Sequence, residues 1–282
     1  MATFFAVVIA LGAVVSLIYD SRVILYFALF LSIVMNVASF WYSDKIALSL
    51  AKAVPIDPEH NPAHLELKRI VENLSIAAGL PTPRVFVIND PAPNAFATGR
   101  DKEHAAVAVT TGLLDIMERN ELEGVLAHEL AHVGNRDILL SSSVIVLVGL
   151  VSIVSDIFLR SMWMRGNHDS NSKGANPLMI LGIIFIILSP IIATFIQLAI
   201  SRRREYLADA TGALITRYPE GLASALEKIG AYDRPLAHAS NAMAHLYISN
   251  PFGGKVVKGM SALFMTHPPI EKRVAILRGE EK

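Results

Sequence analysis

Residues Gly124–Asp137 read GVLAHELAHVGNRD. Within them, His128-Glu129-Leu130-Ala131-His132 sets two histidines four apart with a glutamate beside the first. In a chain with nine histidines, such a pair is expected about 0.3 times by chance, and with Glu in second place about 0.014 times. Asn120 followed by Glu123 resembles a capping box. Leu122, Val125, Leu126 and Leu130 recur at helical spacing, and Gly134 reads as a stop or kink. The motif is therefore expected on a helix. There, residues i and i+4 share a face, so His128 and His132 can aim imidazole nitrogens at one ion. Two neutral imidazoles suit Zn²⁺. Glu129 lies where its carboxylate can reach a water held by the ion and act as general base.

A catalytic zinc needs a third protein ligand and an open position. The best candidate is Glu205, within the stretch RRREYLAD of residues 202–209. Asp209 lies one turn further on, where it can accept the second imidazole N–H of a ligand histidine. Taken alone, this stretch reads equally as a charged, membrane-proximal helix. Placement favours the ligand reading. Between His132 and Glu205 the chain carries two long uncharged runs, and an out-and-back hairpin returns it to the side it left.

Those runs belong to a wider pattern. Ala2–Tyr19, Val23–Tyr42, Ile138–Ser155 and Leu178–Ile200 carry no charge, and each has at least 18 residues, the length of a helix that spans a bilayer. The bland alternative is four buried helices of a large soluble protein. Serines 141–143 weaken the third run, although serine can hydrogen-bond within a helix bundle. Pro190 is expected to kink the fourth. If all four span, both termini and both long polar segments share one side. Lys45, Lys52, Arg136, Arg202, Arg203 and Arg204 flank the spans there, against Arg22, Arg160, Arg165 and Lys173 on the other, which modestly favours a cytoplasmic catalytic side. The first run has no preceding Lys or Arg and no clear small-x-small site, so it reads as a retained anchor.

Composition agrees. Of 282 residues 53% are apolar and 18% charged, with 25 basic against 25 acidic side chains. That excludes a disordered chain and gives no footprint for a nucleic-acid binder. Without cysteine there is no disulfide framework and no thiol nucleophile. Val85–Ile88 and Ala105–Thr110 read as strands.

Four motifs in order, Pro93–Gly99 (PNAFATG), Gly124–Asp137, Ser201–Asp209 (SRRREYLAD) and Thr266–Pro269 (THPP), make the chain resemble the HtpX family of membrane zinc metalloproteases, relatives of the CAAX prenyl proteases. The resemblance covers essentially the whole chain. It implies His128, His132 and Glu205 as ligands of one Zn²⁺ per chain, with Glu129 as catalytic base. It also implies polypeptide substrates, membrane-protein quality control under stress, and the inner membrane of a prokaryote with a cytoplasmic active site. In that family, the stretch matching Asn94, Ala95, Phe96, Ala97 and Thr98 is an edge strand that pairs with extended substrate; an ordinary strand or loop is the competing reading. His267 is a candidate donor to the developing oxyanion, Arg273 a candidate contact for carboxylates or the turn, and His245 a weaker oxyanion candidate. A plain capped terminal helix would equally explain the Pro268-Pro269 region.

The expected fold is an α-rich α+β, zincin-like domain with four transmembrane helices in two hairpins. Residues 1–45 form the first hairpin, 46–137 the first part of the peptidase domain, 138–200 the second hairpin with outer loop 160–177, and 201–282 the second part. The expected reaction is zinc-assisted hydrolysis of peptide bonds. A CAAX-type prenyl protease and a non-enzymatic zinc-binding membrane scaffold are the alternatives.

Overall fold

The structure, a computed structural model, describes residues 20–141, 144, 202–232, 234–239, 243–252 and 268–280, with single positions 9, 13 and 16. Helix α1 (Arg22–Leu50) leads into a short strand, β1 (Val54–Pro55). Helix α2 (Pro62–Ala78) starts where the Asn61 side chain accepts the Ala63 N–H at 2.9 Å and Pro62 occupies the first helical position. It ends at Gly79, whose φ of 65° is left-handed.

Strands β2 (Arg84–Ile88), β3 (Ala95–Thr98) and β4 (Ala106–Thr110) complete a four-stranded sheet in the order β1-β2-β4-β3. β2 and β4 run parallel, with Val85 opposite Val107; β3 runs antiparallel to β4, with Ala95 opposite Val109. β3 is thus an edge. Side chains alternate with the pleat. Val85, Val87, Ala95, Ala97, Val107 and Val109 face a core shared with the helices. Ile88, Phe96, Ala106 and Ala108 face a second one, closed by Ala47 and Leu48 of α1 and by Met243, Leu246 and Tyr247. Central β4 is covered on both faces, which is why it reads as a continuous apolar run.

After α3 (Thr111–Ile116), helix α4 (Arg119–Gly134) carries the His-Glu-x-x-His motif. Its cap differs from the expected Asn120/Glu123 pair. The helix begins two residues earlier, with Glu118 as its cap, and the Glu121 carboxylate accepts the Glu118 N–H at 2.8 Å. Lys228 Nζ and Ser224 Oγ hold Glu121, each at 2.6 Å, whereas Glu123 is engaged by Arg119 at 3.0 Å. The better-anchored carboxylate sets the register. α4 is also buried nearly all round rather than along one stripe, with Val125, Leu126, Ala127 and Leu130 all at 0% exposure.

Helices α5 (Arg202–Thr216), α6 (Pro219–Ala231) and α7 (Ile270–Leu277) complete the described architecture. α5 and α6 flank α4, with α7 packed against both. Among the described residues the helix-rich α+β expectation holds, and no helix is long and apolar enough to cross a membrane. α1 contains the second uncharged run, Val23–Tyr42, with only part of its side chains described; Tyr26, Phe27 and Phe30 point outward. Nearly all of the first run, most of the third, the outer loop 160–177 and the fourth run lie outside the described residues.

The α4–α6 crossing depends on Gly124. A Cβ there would stand 2.5 Å from Leu222 N and 2.8 Å from Leu222 Cα, backbone atoms that move only with their helix. Gly124→Ala is expected to destabilise the protein by about 1–3 kcal/mol, read as a lowered midpoint in a denaturant titration. An unchanged midpoint would mean that the helices separate freely.

Candidate active site

His128 and His132 project from adjacent turns of α4, and Glu205 and Asp209 from adjacent turns of α5. The two helices come close at Gly212, where a Cβ would lie 3.0 Å from His128 N and 3.2 Å from Ala127 C. That approach brings one face of α5 onto the motif. The Nε2 atoms of His128 and His132 stand 3.1 Å apart. Glu205 places Oε1 3.6 Å from His132 Nε2 and Oε2 3.9 Å from His128 Nε2.

A tetrahedral ion with bonds of about 2.0–2.1 Å spaces its ligand atoms about 3.3 Å apart. The three groups, whose ligand atoms lie within 4.8 Å of one another, bracket that spacing. Their donor set, two imidazoles and a carboxylate, is one a divalent transition metal accepts. The residues therefore fit a metal ion.

The outward nitrogens are held as well. His128 Nδ1 lies 2.9 Å from Asp209 Oδ1, and His132 Nδ1 lies 3.1 Å from Asp137 Oδ2. With each Nδ1 directed at a carboxylate, each Nε2 lone pair is left for the ion. Asp137 is a residue that sequence reasoning missed. It follows the left-handed Arg136 (φ 62°), and that reversal after Gly134 carries it back to His132. No spacing rule for a regular helix would have found it.

Arg273, completely buried, donates from Nε and Nη2 to the two Asp209 oxygens at 2.9 and 2.6 Å. This two-pronged contact fixes a carboxylate in both position and orientation. It reaches Asp209 from α7, so the C-terminal helix positions the histidine on α4 through a residue of α5.

The protonation of these side chains follows from burial and their partners. Burial pushes His128 well down, against the pull of Asp209, and Arg273 adds to the depression. Burial works against the charged form of His132 too, but the bond to Asp137 and the charges of Glu205 and Glu129 outweigh it and push it up to about 9. Burial would raise Asp209, yet Arg273 and His128 hold it down to about 2. Glu129 is 1% exposed. Burial, helped by Glu205, pushes its carboxyl up to about 7 although His132 and the Ala97 amide favour the ionised form.

The remaining expected residues divide. Ala97 lines the cavity beside Glu129. Asn94 turns its side chain to the backbone of Ser249, Phe96 faces the second core in a T-shaped contact with Tyr247 at 5.3 Å, and Thr98 is fully buried. His245 lies in the cavity wall and donates from Nε2 to the Ser141 carbonyl at 2.8 Å. His267 lies outside the described residues. Leu246 and Ile248 also line the cavity, and nothing in their local sequence marks them.

Comparison with known proteins bears on this arrangement. Residues 62–281 match the peptidase family M48 model. A protease HtpX homolog from Caldanaerobacter subterraneus subsp. tengcongensis is 51% identical over 259 residues, which cover 90% of this chain and 84% of the relative. One from Pyrococcus furiosus is 49% identical over 250 residues, 88% and 83% of the two chains. The crystal structure of S. mikatae Ste24p matches with a TM-score of 0.51 at 21% identity; the match covers 89% of this chain and 57% of that one, a likeness of fold. With a buried His-His-Glu group on two crossing helices and relatives of this closeness, the chain belongs to peptidase family M48, among the HtpX metalloproteases.

Proposed function

We propose that this metalloprotease is a zinc endopeptidase that hydrolyses misfolded or damaged membrane proteins at the cytoplasmic face of an inner membrane. In this reading, residues 1–45 and 138–200 are transmembrane hairpins, and 46–137 with 201–282 form one peptidase domain. The observation that carries the chemistry is the convergence of His128, His132 and Glu205 within 4.8 Å, with the Glu129 carboxylate buried beside them. The four uncharged runs of the sequence support the membrane setting, and the resemblance to HtpX proteases supports the substrate class.

Zinc held by His128, His132 and Glu205 would supply Lewis acidity, polarising the scissile carbonyl and lowering the pKa of water. Glu129 takes the proton of the attacking water and passes it to the leaving amine. Its carboxyl, buried beside the ligand histidines, is placed to accept that proton and to return it. Asp209, clamped by Arg273, and Asp137 keep the imidazoles aimed. The β3 edge, with Ala97 in the cavity wall, offers main-chain groups to an extended peptide, which binds without demanding a particular sequence.

Glu129→Gln is expected to lower cleavage of an unfolded protein by about 10²–10⁴-fold with zinc content unchanged, measured by gel assay and atomic absorption on one preparation. Full activity in the variant would remove Glu129 as the base. Asp137→Asn should weaken zinc affinity by about 10–100-fold in a chelator competition; undiminished affinity would make that hydrogen bond incidental. Because His132 is pushed up to about 9, it holds a proton at neutral pH that must leave before the nitrogen can ligate. Apparent zinc affinity should therefore rise about tenfold per unit from pH 6 to 8. A flat profile would place the ligand elsewhere.

A further inference from the structure

The edge of β3 that a peptide would use is already engaged. In the antiparallel ladder with β4, Asn94 exchanges bonds with Thr110: Thr110 N–H donates to Asn94 O at 3.0 Å, and Asn94 N–H to Thr110 Oγ1 at 2.8 Å. Alternate residues along a strand point their amide groups to opposite sides. Ala95 and Ala97 therefore turn theirs away from the sheet. The Ala95 carbonyl accepts the Ile248 N–H at 3.0 Å, and its N–H meets Asn94 Oδ1 at 3.1 Å. The Ala97 amide faces Glu129.

The neighbouring chain reinforces this. Asn94 Nδ2 donates to the Ser249 carbonyl at 3.2 Å, and Ser249 N–H donates back to Asn94 Oδ1 at 3.4 Å. The Asn94 side chain thus bonds both backbone groups of Ser249. Arg273 Nη1 donates to the Ile248 carbonyl at 3.3 Å. The Ile248-Ser249 backbone is handled as an extended peptide laid along the edge would be. Every residue of β3 is buried.

Residues 243–249 form turns and bends rather than a regular element. Several of their bonds lie at the long end of the hydrogen-bond range, near 3.2–3.4 Å. Opening this segment breaks no regular ladder, but it withdraws Leu246 and Tyr247 from the second core and Ile248 from the first. The shortest bond ties His245 to Ser141. Ser141 lies in the helical stretch 137–141, at the head of the third uncharged run.

We infer that residues 245–249 are an intramolecular occupant of the β3 peptide edge. The described structure is a self-closed state: substrate enters by displacing this strap, and His245 latches the strap to the start of the second hairpin. The inference rests on reading β3 as the substrate edge. It adds that access to the edge is conditional, and it makes His245 a positioning residue rather than an oxyanion donor.

The chain has no cysteine, so one introduced thiol reports the strap without background. In the full-length, zinc-loaded protein, Leu246→Cys should react with a thiol reagent in native buffer at least about tenfold faster than Val107→Cys in the central strand. Equal rates would mean that the strap opens only with the whole domain, and would overturn the inference whether or not the protein is a peptidase. Adding His245→Gln to Leu246→Cys should accelerate labelling again by several-fold; an unchanged rate would refute the latch. With Glu129→Gln added to prevent turnover, bound β-casein should accelerate labelling of Leu246→Cys. Casein that binds without changing the rate would show that substrate lies elsewhere, and would overturn the strap. Failure of casein to bind at all would count against the peptidase reading, while the first comparison still decides whether the strap opens.

Discussion

Everything in the centre of this protein follows from taking several ionisable groups out of water where α4 meets α5. Glu129, Glu205 and Asp209 are almost fully buried, with Asp137 nearly so. Among the described residues, only Arg273 is a permanently charged cation of comparable burial. Burial pushes the Glu129 carboxyl up to about 7 by disfavouring its charged form, whereas for His132 the facing carboxylates overcome burial and push it up to about 9. Carboxylates and imidazoles gathered in this way are donors that a cation accepts.

That concentration of charge explains the apolar framework around it. A helix carrying His128, Glu129 and His132 can be buried on all sides only if its remaining positions pack closely. Leu126, Ala127 and Leu130 do so at 0% exposure, and Gly124 and Gly212 let the flanking helices approach to backbone contact. Precise placement needs such rigid support, because ligand atoms tolerate displacements of only a few tenths of an ångström before an ion's geometry is lost. Arg273 extends the support to a third helix. Through Asp209 it makes the orientation of His128 depend on the C-terminal part of the chain.

The sheet has a different task. Its two faces are sealed by two cores, one under α2, α4 and α6, the other under α1 and the segment 243–247. What remains is an edge, and β3 brings it to Glu129, which the Ala97 amide faces. An exposed edge would invite pairing with any extended chain. Here the Ile248-Ser249 backbone lies against it, and Ile248 also lines the cavity. Protection of the edge and guarding of the site are thus one arrangement.

Much of this was legible in the sequence, because it rests on short-range geometry. Four-residue spacing puts His128 with His132 and Glu205 with Asp209 on common helix faces by the helical repeat alone, and β-branched runs mark β2 and β4. The helix start was misread, since Glu121 rather than Glu123 closes the cap once Lys228 and Ser224 anchor it from α6. The long-range pairings belong to the tertiary structure. Asp137 reaches His132 only through the left-handed turn at Arg136, Arg273 reaches Asp209 across 64 positions, and Ile248 meets Ala95 across the cavity rim. A single sequence states which side chains can share a helix face. Which faces meet, and which backbone lies on an open edge, is settled by packing, and packing depends on all the chain at once.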